Sequence, residues 1–485
     1  MPVKENEKYQ VVIGLEVHAQ LLTQSKLFCG DSATFSTDPN THISPITLAH
    51  PGTLPKMNAK AIEYAIKLGL ALNCDIEQHN YFARKNYFYP DLPKGYQVSQ
   101  HTTPICKNGL VAIKVEDTVR NIRLNRIHIE EDAGKSLHDV DENYTAIDLN
   151  RAGVPLLEIV SEPDIHSSDE AFAYINELRK LVTWLGICDG NMEEGSMRCD
   201  ANISIRLKGD TKLGTRVEVK NLNSIRNVKR AIDVEVERLI GLVENGETII
   251  QETRSYDADN NTTFSLRTKE DADDYRYFPE PDLSPFHITD DYLLEIKKRL
   301  PVLPVTLKQR YMSDLKLSDY DATVICDDKE QVTYFEEVIK HTDNYKAVAN
   351  WMLGPVKSYL NDNNISYISF TLPAEKLAAL ISLVETGKVN FGNASSKILP
   401  ALLLHVEKQP LQVATELNLL QESDSSSIEQ WVDEVIAYMP DKVKQYQSGK
   451  KGLVGLFAGE VKKRSKGKAD MQMVNEMLEK KLNDQ

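Results

Sequence analysis

The chain has 485 residues, 41% hydrophobic and 27% charged, which is the balance of a water-soluble globular protein with room for about two to four domains. No apolar run reaches the length of a membrane span and no secretory signal pattern opens the chain, so a cytoplasmic location is expected. A formal charge of −15 argues against broad adhesion to nucleic acid while allowing a local basic patch, and six scattered cysteines give neither a disulfide framework nor a zinc cluster.

The first predicted strand is Val11 to Ala19. Side chains alternate along a strand, so Ile13, Leu15 and Val17 point one way and Glu16 and His18 the other. The stretch from Arg84 to Gln97 mixes aromatics, prolines and basic residues, as an ordered loop would, either packed as a surface crossing or serving as a wall for a substrate or partner. Ile127 to Asp132 reads as a strand that ends in three consecutive carboxylates. The Ala133-Gly134-Lys135-Ser136 that follows imitates the end of a phosphate-binding loop. Ile129 stands where that motif needs glycine, and the acids just upstream would repel phosphate, so a P-loop is rejected.

Leu156 to Val160 sets Glu158 inside an aliphatic run, where a carboxylate is costly to bury without a partner or a metal. Ser167 to Leu185 has capping residues at its start and then Phe172, Ile175, Leu178, Leu181 and Trp184 at helical spacing. Glu193-Glu194 precede a strand on which Arg198, Asp200, Asn202, Ser204 and Arg206 share a face. In Arg216 to Asn221, alternation pairs Glu218 with Lys220, as a structural ion pair or as an acid for metal beside a lysine for phosphate. A second helix runs from about Ser224 to Val243 and ends at Asn245-Gly246.

A proline-punctuated connector at 277–285 then gives way to helical patterns. The expected organisation is an α+β domain over 1–290, a helical domain over 291–409 and a small helical tail over 410–485, with 421–427 as a helix-capping loop. In the tail, Lys442, Lys444, Lys450, Lys451, Lys462, Lys463, Arg464, Lys466 and Lys468 face only Asp441 and Glu460, which suits either a phosphate-backbone footprint or a solvated helix face.

An antiparallel sheet with one wet face alternates in the same way, so no single acid-bearing strand decides the matter. Four together favour a polar site that gathers a cation, and hard oxygens with one imidazole suit Mg²⁺ or Mn²⁺.

Several segments together resemble a known family. Ile13-Gly14-Leu15-Glu16-Val17-His18, Arg84 to Asp91, Glu130 to Lys135, Glu162-Pro163-Asp164, Arg198 to Asn202, Val219 to Ser224, Asp274 to Asp282, Gly455 to Glu460 and Ser465 to Asp470 are similar, in order, to the B subunit of the aspartyl/glutamyl-tRNA amidotransferase. The resemblance implies a cradle of antiparallel sheet related to glutamine synthetase and guanido kinases, followed by helical domains that touch tRNA.

It further implies ATP-dependent phosphorylation of the side-chain carboxyl of Glu on tRNA(Gln), or Asp on tRNA(Asn), with ammonia then displacing phosphate. By similarity Glu16, His18, Glu131 and Glu158 bind Mg²⁺ or Mn²⁺, with Glu130, Glu193 and Glu218 as neighbours. Arg198, Glu218, Lys220 and Asn221 meet the nucleotide or acyl phosphate, and Lys85 stands at the mouth of an ammonia passage. The basic tail residues become a tRNA contact. The chain carries no amidase signature, so the resemblance implies a heterotrimer in which the other two members are an amidase, the A subunit, and a small third protein, the C subunit.

Many family members carry two cysteine pairs for zinc near the first strand. Here the region from Cys29 to Thr47 keeps one cysteine, so zinc is not expected. Two competing readings are a tRNA-binding scaffold without catalysis, against which the intact acids argue, and a stand-alone kinase or ligase for free amino acids, which leaves the basic tail without a use.

Overall fold

The computed structural model describes residues 8–268, 275–421, 425–465 and 467–483. The chain divides into two compact units, 1–303 and 304–485. The first is built on a ten-stranded sheet.

Seven strands of that sheet position the site: β1 (Tyr9–Gln20), β2 (Thr118–Glu131), β3 (Pro155–Ser161), β4 (Met197–Leu207), β5 (Val217–Leu222), β6 (Glu252–Asp257) and β7 (Thr262–Thr268). Their order across the sheet is β7-β6-β5-β4-β1-β3-β2, and the short strands Cys106–Lys107 and Asp75–Ile76 continue past β2. Ile13, Leu15 and Val17 of β1, Ile127 and Ile129 of β2, Leu157 and Ile159 of β3 and Ala201 and Ile203 of β4 are all fully buried on one face. Period-two alternation therefore delivers the polar residues between them to the opposite face.

Three helices cover the apolar face: α1 (Ala59–Ala71), α2 (Ser168–Trp184) and α3 (Ile225–Glu244). The Ser167 hydroxyl caps α2 by accepting from the Glu170 N–H, and Ser224 caps α3 through the Asn227 N–H. The inward stripe of α2 is Ala171, Tyr174, Ile175, Leu178, Leu181 and Val182, whereas Phe172, expected to join it, is 40% exposed. Helical periodicity gives a stripe about 100° wide, and Phe172 falls just outside it.

The sheet is mixed, not purely antiparallel. β5 and β6 run parallel, Glu218 opposite Thr253 and Lys220 opposite Ser255, because α3 lies between them in sequence and carries the chain back across the sheet. A parallel pair needs such a crossover. Periodicity in the sequence marks the helix but not the fact that it links two neighbouring strands.

The second unit is helical. Within it α4 (Ser425–Tyr438), α5 (Pro440–Gln447), α6 (Val454–Arg464) and α7 (Met471–Asn483) enclose a core of Ile428, Val432, Val435, Phe457, Val461, Val474 and Leu478. Of the expected capping loop at 421–427, residues 422–424 lie outside the described residues. Among the described residues no helix is long and apolar enough to cross a membrane.

Candidate functional site

Strand register assembles the site. His128 of β2 lies opposite Glu158 of β3, Glu158 opposite His18 of β1, and His18 opposite Arg198 of β4, so four strands contribute one transverse row. In the next row Glu16 faces Asp200, and one strand further Asn202 faces Glu218. These strands line a cavity of about 450 Å³ to which Lys85, Glu130, Asp132, Arg151, Arg216 and Lys220 also contribute.

Two acid clusters lie there. In one, ligand atoms of His128, Glu130 and Glu158 are all within 4.8 Å of one another; in the other, those of Glu16, Asp200 and Glu218 are. In the first, His128 Nε2 stands 3.0 Å from Glu130 Oε1 and 3.4 Å from Glu158 Oε2, and His18 Nε2 is 3.5 Å from the same Glu158 oxygen. Burial disfavours the His128 imidazolium, yet the two carboxylates beside it carry its pKa up to about 9. Burial would likewise raise Glu158, but His128 and His18 hold its carboxyl well below the usual range.

The second cluster is less well compensated. Lys220 Nζ is 2.6 Å from Asp200 Oδ2 and 3.1 Å from Glu218 Oε1, and Thr253 donates to Glu218 at 2.9 Å. Glu16 accepts from the Asn202 amide at 2.9 Å. Burial, reinforced by the charges of Glu158, Glu218 and Asp200, pushes the Glu16 carboxyl up in spite of Lys220. Anionic oxygens gathered more densely than their cations fit a hard divalent ion, and the donor set of carboxylates with imidazole is the kind Mg²⁺ or Mn²⁺ accepts.

Cations border the acids. Arg198 Nη2 reaches both Asp132 oxygens at 3.0 Å, and Gln20 donates to the same carboxylate at 2.7 Å. Arg151 donates to the carbonyls of Ala133 and Gly134 at 2.9 and 2.7 Å. The segment that imitates a P-loop thus turns carbonyls toward an arginine. A Cβ on Gly134 would come within 2.9 Å of the Asp91 and Asp148 carbonyl oxygens, so close packing of backbone accounts for that glycine. Lys85 enters from the strand Ala83–Asn86, its ammonium 4.9 Å from the centre of the Tyr275 ring; burial works against its charge, and Glu130, Tyr277, Glu158 and Tyr87 together more than offset it, raising the pKa.

The structure brings Glu16, His18, Glu158, Arg198, Glu218, Lys220 and Lys85 together and separates Glu131 from them. Glu130 has the parity of His128 and faces the cavity, held by Ser99 at 2.6 Å and Gln97 at 3.0 Å. Glu131 has the opposite parity, accepts from the Val98 N–H at 2.8 Å and is neutralised by Lys94. Of the two neighbouring acids, the one expected to bind metal is the one that alternation turns away.

Glu193 sits exposed in a turn. Arg206 is tied to Gln10 and the Thr211 carbonyl, away from the cavity. The Asn221 side chain lies outside the described residues, as does Lys466. Site residues without an expected role are His128 and Asp200, both legible from alternation, and Asp132 and Arg151, which no local pattern marks as lining a cavity.

In the second unit Lys450, Lys451, Lys462 and Lys463 are exposed. Arg464 is drawn toward Glu434 and Glu460 and stacks 4.6 Å from the Tyr438 ring centre, and Lys468 donates to Asn418. Among the described residues Lys462 and Lys463 have no ion-pair partner and remain available to an anion.

Comparison with known proteins agrees with this anatomy. Residues 11–294 match the family described as GatB/GatE catalytic domain, and residues 333–482 match the GatB domain. Similar proteins include the B subunit of the aspartyl/glutamyl-tRNA(Asn/Gln) amidotransferase of Nitratidesulfovibrio vulgaris (strain DP4), 48% identical over 474 residues, which cover 98% of this chain and 99% of the relative. The proteins of the same name from Syntrophotalea carbinolica, 46% identical over 475 residues, and Chlorobium phaeobacteroides, 47% identical over 474, each cover 98% of this chain and 99% of their own. With identity at this level along nearly the whole sequence, and the acid-lined sheet face inside the matched catalytic domain, the chain belongs to the family of B subunits of the aspartyl/glutamyl-tRNA(Asn/Gln) amidotransferase.

Proposed function

We propose that this protein activates the side-chain carboxyl of Glu on tRNA(Gln), or of Asp on tRNA(Asn), by transfer of the γ-phosphoryl group of ATP, and then presents the acyl phosphate to ammonia. A carboxylate oxygen attacks the γ-phosphorus as its bond to the ADP oxygen breaks. Ammonia then attacks the acyl carbon, the bond to phosphate breaks, and the surplus proton leaves on the phosphate.

Both steps bring anions together, so the site must supply positive charge where charge builds up. Lys220, Arg198 and Arg216 line the cavity and can bind phosphate oxygens. Glu16, Asp200 and Glu218, with Glu158, Glu130, His128 and His18 beside them, would hold Mg²⁺ or Mn²⁺, and such an ion, when bound, neutralises phosphate charge. Lys85 and the rings of Tyr87 and Tyr275 form a wall that can admit ammonia while limiting water.

The kinship with glutamine synthetase and guanido kinases implied by the sequence resemblance fits an acid-lined sheet used in this way. Ammonia would come from the amidase (the A subunit), with the small C subunit making up a heterotrimer, and the exposed lysines of the second unit would meet tRNA.

The observation that carries this reading is the convergence of Glu16, His18, Glu158, Asp200, Glu218 and Lys220, from four separate strands, around one cavity. Its test is a turnover assay of the reconstituted complex with radiolabelled ATP, ammonium and each mischarged tRNA. Phosphate release that requires the charged tRNA and matches amide formation is expected. Equal release with free glutamate and no tRNA would overturn it.

A further inference from the structure

Between β1 and α1 the chain makes a long excursion, and Cys29 and Asp31 from one arm of it meet Ser44 and Thr47 from the other. Cys29 donates its thiol proton to Asp31 Oδ2 at 3.3 Å, Thr47 donates its hydroxyl to the same oxygen, and the Cys29 sulfur lies 3.5 Å from Thr47 Oγ1. The circuit is closed. Burial works against the Asp31 charge, yet the hydroxyls of Thr47 and Ser44, the Cys29 thiol and the Lys26 charge together hold its pKa below the usual value. Lys26, only 1% exposed, donates to the His42 carbonyl at 2.7 Å and so ties down the same excursion.

A structural zinc site gathers four thiolates or imidazoles around one point, with sulfurs about 3.7 Å apart when each stands about 2.3 Å from the metal. The spacing here is close to that, but the donors are wrong. Among the described residues no third acid, imidazole or thiol joins Cys29 and Asp31 within reach of one ion, and burial pushes the Cys29 thiol up, away from the thiolate that zinc takes. The zinc that the sequence resemblance implies for many relatives does not fit these residues.

We propose that Cys29, Asp31, Ser44 and Thr47 form a metal-free clasp, in which one carboxylate surrounded by two hydroxyls and a thiol does for this loop what a bound zinc would do with four sulfurs. The clasp secures a wall near the site. Ile46 and Thr47 share a small recess with Lys94 and Glu131, so holding the two arms together sets the backbone beside that ion pair.

The test uses the full chain and follows chymotrypsin cleavage after Phe35, a loop residue 70% exposed, because cutting there requires the loop to open locally. Thr47→Val and Asp31→Asn nearly keep volume while weakening the clasp. Each should speed cleavage at least about tenfold, the scale of a lost hydrogen bond to a charged group, while a chelator leaves wild type unchanged. Replacing three positions together, Asp31→Cys, Ser44→Cys and Thr47→Cys, should turn the clasp into a metal centre. With Co²⁺ as the probe that variant should gain a thiolate charge-transfer band, a signal the acid cavity cannot give because no described cysteine lines it, and chelation should then speed its cleavage. Single variants cut at the wild-type rate, a chelator that loosens wild type, or a thiolate band in wild type would each overturn the clasp. So would a triple variant without the band, since the four side chains would then not converge.

Discussion

Glu158→Gln should lower ATP-dependent phosphoryl transfer at least about 100-fold, the scale seen when one preorganised electrostatic contact to a transition state is lost. Glu158 lies at the centre of the transverse row, its Oε2 within 3.5 Å of both His18 and His128. The amide keeps the volume, so the strand pairing of β3 with β1 and β2 stays in place and the thermal midpoint should move by only a few degrees. What disappears is the negative charge that holds the His18 and His128 pKa values up and that, in the proposed site, would help to hold a cation. Single-turnover assays of phosphate transfer alongside tRNA-binding isotherms check this. Loss of transfer with tRNA affinity kept is the expected result, and equal loss of both would mean that the variant misfolds.

The second large effect is on stability. Glu235 of α3 is fully buried and accepts from Arg238 at 2.6 Å and from Thr263 at 2.8 Å, with Arg254 Nε 3.5 Å away. It clamps the helix to β6 and β7, and β6 in turn supplies the Thr253 hydroxyl that holds Glu218 in the site. Glu235→Ala leaves the part-buried guanidinium groups of Arg238 and Arg254 sharing Glu252 as their remaining carboxylate, with a void where the second stood, and about 3 kcal/mol of stability should be lost. In a unit of this size that corresponds to a fall of roughly 5 °C in the melting midpoint. Glu235→Gln, which keeps part of the hydrogen bonding, should fall between. Calorimetry of the three proteins decides, and an alanine variant that melts with wild type would show that the clamp adds nothing to stability.

Much of the site is legible in the sequence because it stands on strands. Parity along β1, β4 and β5 is enough to put Glu16 with His18, Arg198 with Asp200, and Glu218 with Lys220, and Ser167 and Ser224 mark the starts of their helices by their hydroxyls alone. Parity also holds the answer at 127–132, where His128 and Glu130 must share a face. A run of three acids conceals it and makes Glu131 look equally eligible. Two features cannot be read from local pattern. That β5 and β6 lie side by side in parallel is a long-range fact, set by where α3 lands on the sheet. That Asp132 and Arg151 border the cavity depends on the turns after β2 and before β3, where no periodicity constrains direction. In the tail, charge counting does not distinguish Arg464, committed to Glu434 and Glu460, from Lys462 and Lys463, which face outward.

The central claim is that acids from separate strands gather a divalent ion beside bound nucleotide. Anomalous scattering from crystals grown with Mn²⁺ and a non-hydrolysable ATP analogue tests it directly. A manganese peak within ligand distance, roughly 2.0–2.6 Å, of carboxylate oxygens among Glu16, Glu158, Asp200 and Glu218 is predicted. Nucleotide bound with its metal elsewhere, and these four carboxylates still paired only with protein cations, would contradict it.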